Sequence, residues 1–221
     1  MLELDTEVRT PSDSDWDEAR AAWNLSVDQR PEAVAFPRSA EEVAAVAAAA
    51  RERGLRVTAQ ATGHGATPLG SLEGTVLIKT ERMRGASVDA AAQVARVEAG
   101  AQWMDVVPLA AEHGLAGLSG SAPDVGVVGY TLGGGQGWLG RTYGLAANSV
   151  TAVDIVLADG RRVRADAENE RDLFWAVRGG GGSFAIVTAL EFRLYPVATL
   201  FAGTSTGRGS APRRSSTRGA S

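Results

Sequence analysis

Glycine constrains this chain more than any other residue type. Its 27 glycines are clustered rather than periodic. That excludes a collagen-type repeat and marks places where backbone must approach something closely. The densest stretch runs from Gly114 to Gly144, with Gly133, Gly134 and Gly135 at its centre. A second run covers Gly179 to Gly182, and Gly63 and Gly65 bracket His64.

The remaining composition removes several function classes. The chain has 221 residues, enough to bury a core without covalent staples. It has no cysteine, so disulfides, thiolate metal sites and Cys nucleophiles are excluded. Two histidines, His64 and His113, are too few for a multi-His metal site, and none is expected. A net charge of -4 argues against a nucleic-acid binder. No apolar run approaches the roughly 18 residues of a membrane span. The acidic start (Glu3, Asp5, Glu7) lacks the apolar core of a secretory signal, so a cytoplasmic location is expected.

Along the chain, residues 1–29 read as a helical lead-in carrying Trp16 and Trp23. A strand at Val34–Phe36 ends at Pro37. Ser39 and Glu42 form a capping box opening an alanine-rich helix that Gly54 stops. A strand at Leu55–Ala59 completes a βαβ-like unit over residues 33–59. Further strands are expected at Thr75–Lys79, Gln93–Glu98, Ala152–Ala158 and Ala185–Leu194, with Asp159-Gly160 turning a hairpin into Arg162–Ala165. Helices are expected at Gln102–His113 and Asp172–Arg178. Strands and helices do not alternate strictly, so the fold class is α+β. Thr204–Ser221 holds four arginines and no acid, and reads as a disordered basic tail.

Three local patterns carry chemistry. Gly135-Gln136-Gly137-Trp138-Leu139-Gly140 matches a dinucleotide fingerprint, but no good strand precedes it and Asp159 falls in a turn, which argues against a Rossmann site. Thr62-Gly63-His64-Gly65 follows a strand. Such a loop turns backbone N–H groups toward a phosphate and exposes the imidazole, although a lone loop histidine is more often a hydrogen-bonded surface residue. Tyr130 and Trp138 flank the central glycine run, either as walls for a planar ring or as core anchors. His113, at a helix end, reads as structural.

Four segments in order resemble one family. They are Pro37-Arg38-Ser39-Ala40-Glu41-Glu42-Val43, Thr62-Gly63-His64-Gly65, Gly129 to Gly137 with Arg141 to Val150, and Asp172 to Gly182. Together they resemble the FAD-binding domain of p-cresol methylhydroxylase / vanillyl-alcohol oxidase type proteins, and in particular the berberine-bridge-enzyme-like oxidases. The resemblance covers residues 30–200 and implies a two-subdomain FAD-binding domain.

It further implies FAD linked through His64. Ala122 stands where many relatives carry a second, cysteine link. Gln60, Ala61, Thr62, Gly63, His64 and Gly65 would cradle the pyrophosphate. Ser121, Gly126, Gly129, Gly133, Gly134 and Gly137 would line the isoalloxazine and phosphates. Asn148 and Val150 would lie at the adenine end, and Ile186 and Val187 would touch flavin through backbone. The implied reaction is oxidation of an alcohol, sugar or amine with O₂ as acceptor. The family pattern stops near Gly203, so the chain reads as truncated after the FAD domain, with no substrate domain and no nameable catalytic base. The alternative is a non-catalytic or unstable FAD-binding fragment.

Overall fold

The structure is a computed structural model that describes residues 5–202. Two sheets are built from separate parts of the chain. The first contains β1 (Glu7–Arg9), β2 (Ala33–Phe36), β3 (Arg56–Gln60) and β4 (Thr75–Lys79). Its order is β1-β2-β4-β3, with β2, β4 and β3 parallel and β1 antiparallel at one edge. The expected βαβ unit is present, but β4 is inserted between its two strands. The lead-in differs from expectation: it holds the edge strand β1 as well as a short helix, α1 (Trp16–Arg20). Alternation in a three-residue strand is too short to register as a pattern.

Helix α2 (Ala40–Glu52) connects β2 to β3. Ser39 Oγ accepts from Glu42 N, but the Glu42 carboxylate takes Arg38 N–H and the Thr6 hydroxyl rather than the cap residue's own N–H. Alanine and valine on one stripe (Val43, Val46, Ala47, Ala50) bury against Ala33, Ala35, Val76 and Ile78 of the parallel sheet.

The second sheet comprises β5 (Ala86–Asp89), β6 (Val94–Glu98), β7 (Val150–Val156), β8 (Arg162–Asp166) and β9 (Ile186–Arg193). Its order is β5-β6-β9-β7-β8, antiparallel throughout. One face is covered by α3 (Trp103–Ala111), α4 (Val127–Leu132) and α6 (Arg171–Gly180), whose Trp103, Val106, Val127, Leu132, Phe174 and Val177 pack on Val153, Ile155, Leu190 and Phe192. A single turn, α5 (Gly140–Tyr143), lies between α4 and β7. α6 breaks at Arg178 and Gly179, where the backbone leaves helical angles. The opposite face carries an ionic ladder in which Arg96 and Arg164 both reach Asp154 and Glu191.

The two sheets share side chains. Val156 of β7 and Ile186 of β9 join the α2 core of the parallel sheet. The Asp159-Gly160 hairpin turn rests on α2, with Gly160 facing the Ala44 carbonyl and Ala48. The basic tail at residues 204–221 lies outside the described residues.

Backbone crosses backbone at Gly100, where an added Cβ would collide with the Thr80 carbonyl oxygen. Nothing in that contact is a flexible side-chain end. Gly100→Ala should therefore destabilise by about 2–3 kcal/mol, read as a lowered midpoint in chemical denaturation. An unchanged midpoint would show that this crossing is looser than described.

Candidate cofactor-binding site

The loop after β3 is built on a buried polar layer. Gln60 and Lys79 are register partners at the ends of β3 and β4. Gln60 Nε2 donates to Gln29 Oε1 at 3.2 Å, and Gln29 Nε2 donates to the Ala66 carbonyl at 3.4 Å. Lys79 is only 5% exposed, and its Nζ donates to the Ala21 carbonyl at 2.5 Å. Burial pushes its ammonium below the usual lysine range, with the nearby Glu81 charge opposing. Above this layer Gly63 adopts φ +85°, and a Cβ there would lie 2.8 Å from Ala22 Cβ and 2.9 Å from Gln60 Nε2. Only glycine fits both the angle and the space.

His64 sits on top of this turn with three neighbours. Its Nδ1 is 2.8 Å from Thr62 Oγ1. Its ring stacks on Trp23 at 3.9 Å between centroids and 16° between planes. Its Nε2 faces the Asp124 carboxylate at 3.9 Å and has no hydrogen-bond partner. The imidazole is thus held at one nitrogen and over one face, while the other nitrogen is uncommitted.

Asp124 brings the second wall of the site. Gly126, the residue before α4, lies so close to the His64 loop that a Cβ would be 3.2 Å from Ala61 Cβ and 3.8 Å from Thr62 Oγ1. The segments Gln60–Gly65 and Ser121–Gly126 are therefore neighbours in space. The glycines beyond them divide into two groups. Gly135 and Gly137 are filled by protein: Cβ atoms there would meet Ala146 and the Tyr130 ring, and the Ser119 carbonyl and Tyr130 hydroxyl, respectively. Gly65, Gly129 and Gly134 face open space and present bare backbone. Gly133 is exposed and closes α4.

Tyr130 resolves as a core anchor. It meets Trp103 edge to face at 5.7 Å, fits against Gly120, Gly135 and Gly137, and burial raises its phenol above the ordinary value. Trp138 is 46% exposed and remains available to a ligand or to further protein. The Gly135–Gly140 fingerprint follows α4 rather than a strand, which removes the Rossmann geometry.

The other sequence-derived residues lie elsewhere. Ile186 and Val187, at the start of β9, are buried and face opposite cores. Asn148 and Val150 line a separate cleft of about 970 Å³ with Thr151, Phe174, Arg178 and Arg193, and none of Gln60–Gly65 lines it. The turn bearing Asn148 is nonetheless tied to the glycine run, because Ala146 and Ala147 N–H donate to the carbonyls of Gly135 and Gly134. Among the described residues no cluster of potential metal ligands occurs, and no helix is long and apolar enough to cross a membrane.

Two residues of this site escape the sequence reading, Trp23 and Lys79, while Asp124 falls within the Ser121–Gly126 segment that the resemblance places at the flavin. Lys79 did leave a signal. It is the only lysine among 22 basic side chains, and it ends an apolar strand.

A histidine on a glycine turn after a parallel strand, with the Ser121–Gly126 segment that leads into α4 packed against that turn, marks where the two halves of the fold meet. Comparison with known proteins assigns the fold. The chain belongs to the FAD binding domain family, which it matches over residues 31–166. Among solved structures, it is similar to 6-hydroxy-D-nicotine oxidase from Arthrobacter nicotinovorans, with 34% identity and a TM-score of 0.82 over 88% of this chain and 43% of that one. It is also similar to glucooligosaccharide oxidase from Acremonium strictum, described with a 6-S-cysteinyl, 8α-N1-histidyl FAD, at 37% identity and a TM-score of 0.77 over 86% and 41% of the two chains. A third is the BBE-like 1 protein of Physcomitrella patens (variant D396N), at 31% identity and a TM-score of 0.79 over 86% and 42%. The berberine-bridge-enzyme-like resemblance is borne out. The chain spans about two fifths of the length of the curated relatives it matches.

The lowered Lys79 pKa has a pH signature. Between that lowered value and 10.5 the unfolded chain holds a proton that the folded chain has released. Stability therefore rises with pH through this window, and the burial cost is fully present below it. The difference in unfolding free energy between wild type and Lys79→Met should follow this slope, measured by denaturation across the alkaline range. A pH-independent difference would contradict the buried ammonium.

Proposed function

We propose that this chain forms the FAD-holding part of a flavin-dependent oxidase, with His64 as the covalent attachment point. The observation that carries this reading is the uncommitted His64 nitrogen, fixed at the edge of bare glycine backbone. When bound, FAD would supply the acceptor for a hydride from an alcohol, sugar or amine carbon, with O₂ as the final oxidant and peroxide as product.

The chain's own residues have distinct parts in this reading. Thr62 and Trp23 orient the imidazole, so that one nitrogen lone pair points away from both. The turn at Gly63–Gly65 offers backbone N–H groups to the diphosphate. Gly129, Gly133 and Gly134 allow a planar ring to approach main chain without a Cβ in the way. Gly126 and Gly137 serve the same site indirectly, by letting its walls close on each other. Ser121 lies at the rim, in an exposed loop. Asn148 and Val150 would serve the nucleotide end from the adjoining cleft, and Ile186 and Val187 would contribute backbone. With Ala122 in place of a second link, His64 would be the single attachment. No side chain among the described residues is assigned as the base that takes the substrate proton.

Acid precipitation of purified protein tests the reading. Flavin absorbance should remain with the pellet in wild type and be lost from it in His64→Ala. Release of all flavin to the supernatant from wild type would remove the covalent link, and a folded protein that FAD cannot reconstitute would sink the reading. Retained flavin with no turnover of alcohols, sugars or amines would favour the alternative, a flavin holder that is not itself catalytic.

Gly129 gives a sharper test of the bare backbone. It lies inside α4 in open space, so Gly129→Ala should stabilise the apoprotein by about 0.5–1 kcal/mol through helix propensity. The same methyl should weaken FAD binding at least about tenfold, a loss of ~1.4 kcal/mol. Titration calorimetry or fluorescence titration with FAD reads the second effect, and unchanged affinity would place the flavin away from α4.

A further inference from the structure

We propose that Ala21–Trp23 is a strap that fixes the plane of the His64 imidazole before any cofactor arrives, with Lys79 as its buried anchor. The inference rests on His64 being the flavin-bearing residue, and it assigns a positioning role to side chains outside the glycine loop.

Four contacts tie the strap down, one after another. The chain leaves α1 extended at Ala21, at φ -61° and ψ 135°. There the Lys79 ammonium donates to the Ala21 carbonyl at 2.5 Å. The next residue, Ala22, fills the space that a side chain on Gly63 would need. Trp23 N–H then donates to the Thr62 carbonyl at 2.9 Å, and its indole stacks on His64. Consecutive residues 21, 22 and 23 are thus each tied down, Ala21 to the end of β4 and Ala22 and Trp23 to the turn that carries His64. Arg20 closes the strap from behind by donating to the Gln29 carbonyl at 2.7 Å, and Gln29 lies in the polar layer beneath the loop.

Trp23 is not placed by burial. It is 60% exposed, with solvent on much of its indole. A large apolar ring left that open is held by its backbone hydrogen bond and by the stack itself. The stack leaves the imidazole little freedom. Thr62 holds one nitrogen, Trp23 covers a face, and Asp124 stands off the opposite edge, so ring rotation would break at least one contact. Orientation of a nucleophile is worth orders of magnitude in rate, and a preset ring plane is the form such orientation takes here.

The chain has only two histidines, so histidine-selective isotope labelling of this chain as apoprotein yields two sets of ring signals. His64→Ala assigns them, and exposed His113 is the internal reference. The His64 ring protons should be shifted upfield by the indole. Trp23→Leu should return them toward the His113 positions, Trp23→Phe should retain part of the shift, and folded Lys79→Met should move them in the same direction as Trp23→Leu. His113 should not move in any variant. On incubation with FAD, Trp23→Leu should also form acid-stable flavoprotein about tenfold or more slowly, with Trp23→Phe in between.

His64 signals that do not respond to Trp23→Leu would overturn the strap, as would an attachment rate equal to wild type. If Lys79→Met does not fold, the two Trp23 variants still decide. If wild type retains no flavin after acid, the covalent reading fails on its own, while the apoprotein spectra continue to judge the strap.

Discussion

The architecture turns on the pairing of β7 with β9. Two threonines interrupt its register: Thr151 is the extra residue in β7 and Thr188 in β9. Each bulge reverses which face the following side chains present. Leu190 and Phe192 face the helices α3, α4 and α6, and without the bulge Ile186 would join them. With it, Val187 faces that side, while Ile186 turns with Val156 toward α2 and the parallel sheet. Thr188 secures the irregularity by donating its hydroxyl to the Asp154 carbonyl at 3.1 Å. One strand thus contributes to two cores. The two sheets cannot slide past each other without unpacking both, and the walls of the site are held in register as a result.

Glycine then works at two scales. At Gly63, Gly100, Gly126 and Gly137 the missing side chain lets protein approach protein. These positions let segments of the fold close on each other. At Gly65, Gly129 and Gly134 nothing stands within 4 Å of where a Cβ would be. At Gly134 the φ of +112° itself calls for glycine, but Gly129 has no such reason, since alanine would fit there and favour its helix. The two groups are interleaved in sequence, and only the fold separates those that close the structure from those that open it.

Much of this was legible in the chain itself. The strand Thr75–Lys79, the Ser39 cap and the Asp159-Gly160 hairpin all rest on local chemistry that neighbours in sequence supply. What was hidden is non-local. α4 carries three glycines and a tyrosine in or at its short span, so propensity reads it as loop; tertiary packing of Val127, Val128 and Leu132 makes it a helix. Trp23 sits 41 positions before its partner ring and Asp124 sits 60 after, distances over which no pattern in a single sequence connects them. Ile186 and Val187 read as one apolar run, because the bulge that sends them to opposite cores is invisible until the strand is paired.

The choice of base beneath the loop follows from the same physics. This chain otherwise uses arginine for every positive side chain, yet lysine stands at position 79. A guanidinium there would bring five donors and a charge that cannot be shed into a pocket where the Ala21 carbonyl is the hydrogen-bond acceptor found. Four donors would lie unpaired, each with its desolvation cost. An ammonium is compact, needs fewer partners and can lower its pKa to meet the dry environment, and as a neutral amine it still donates to the same carbonyl. Lysine is the basic residue that can occupy this position whether or not it is charged, and so it can anchor the strap without fixing a permanent charge under the histidine loop.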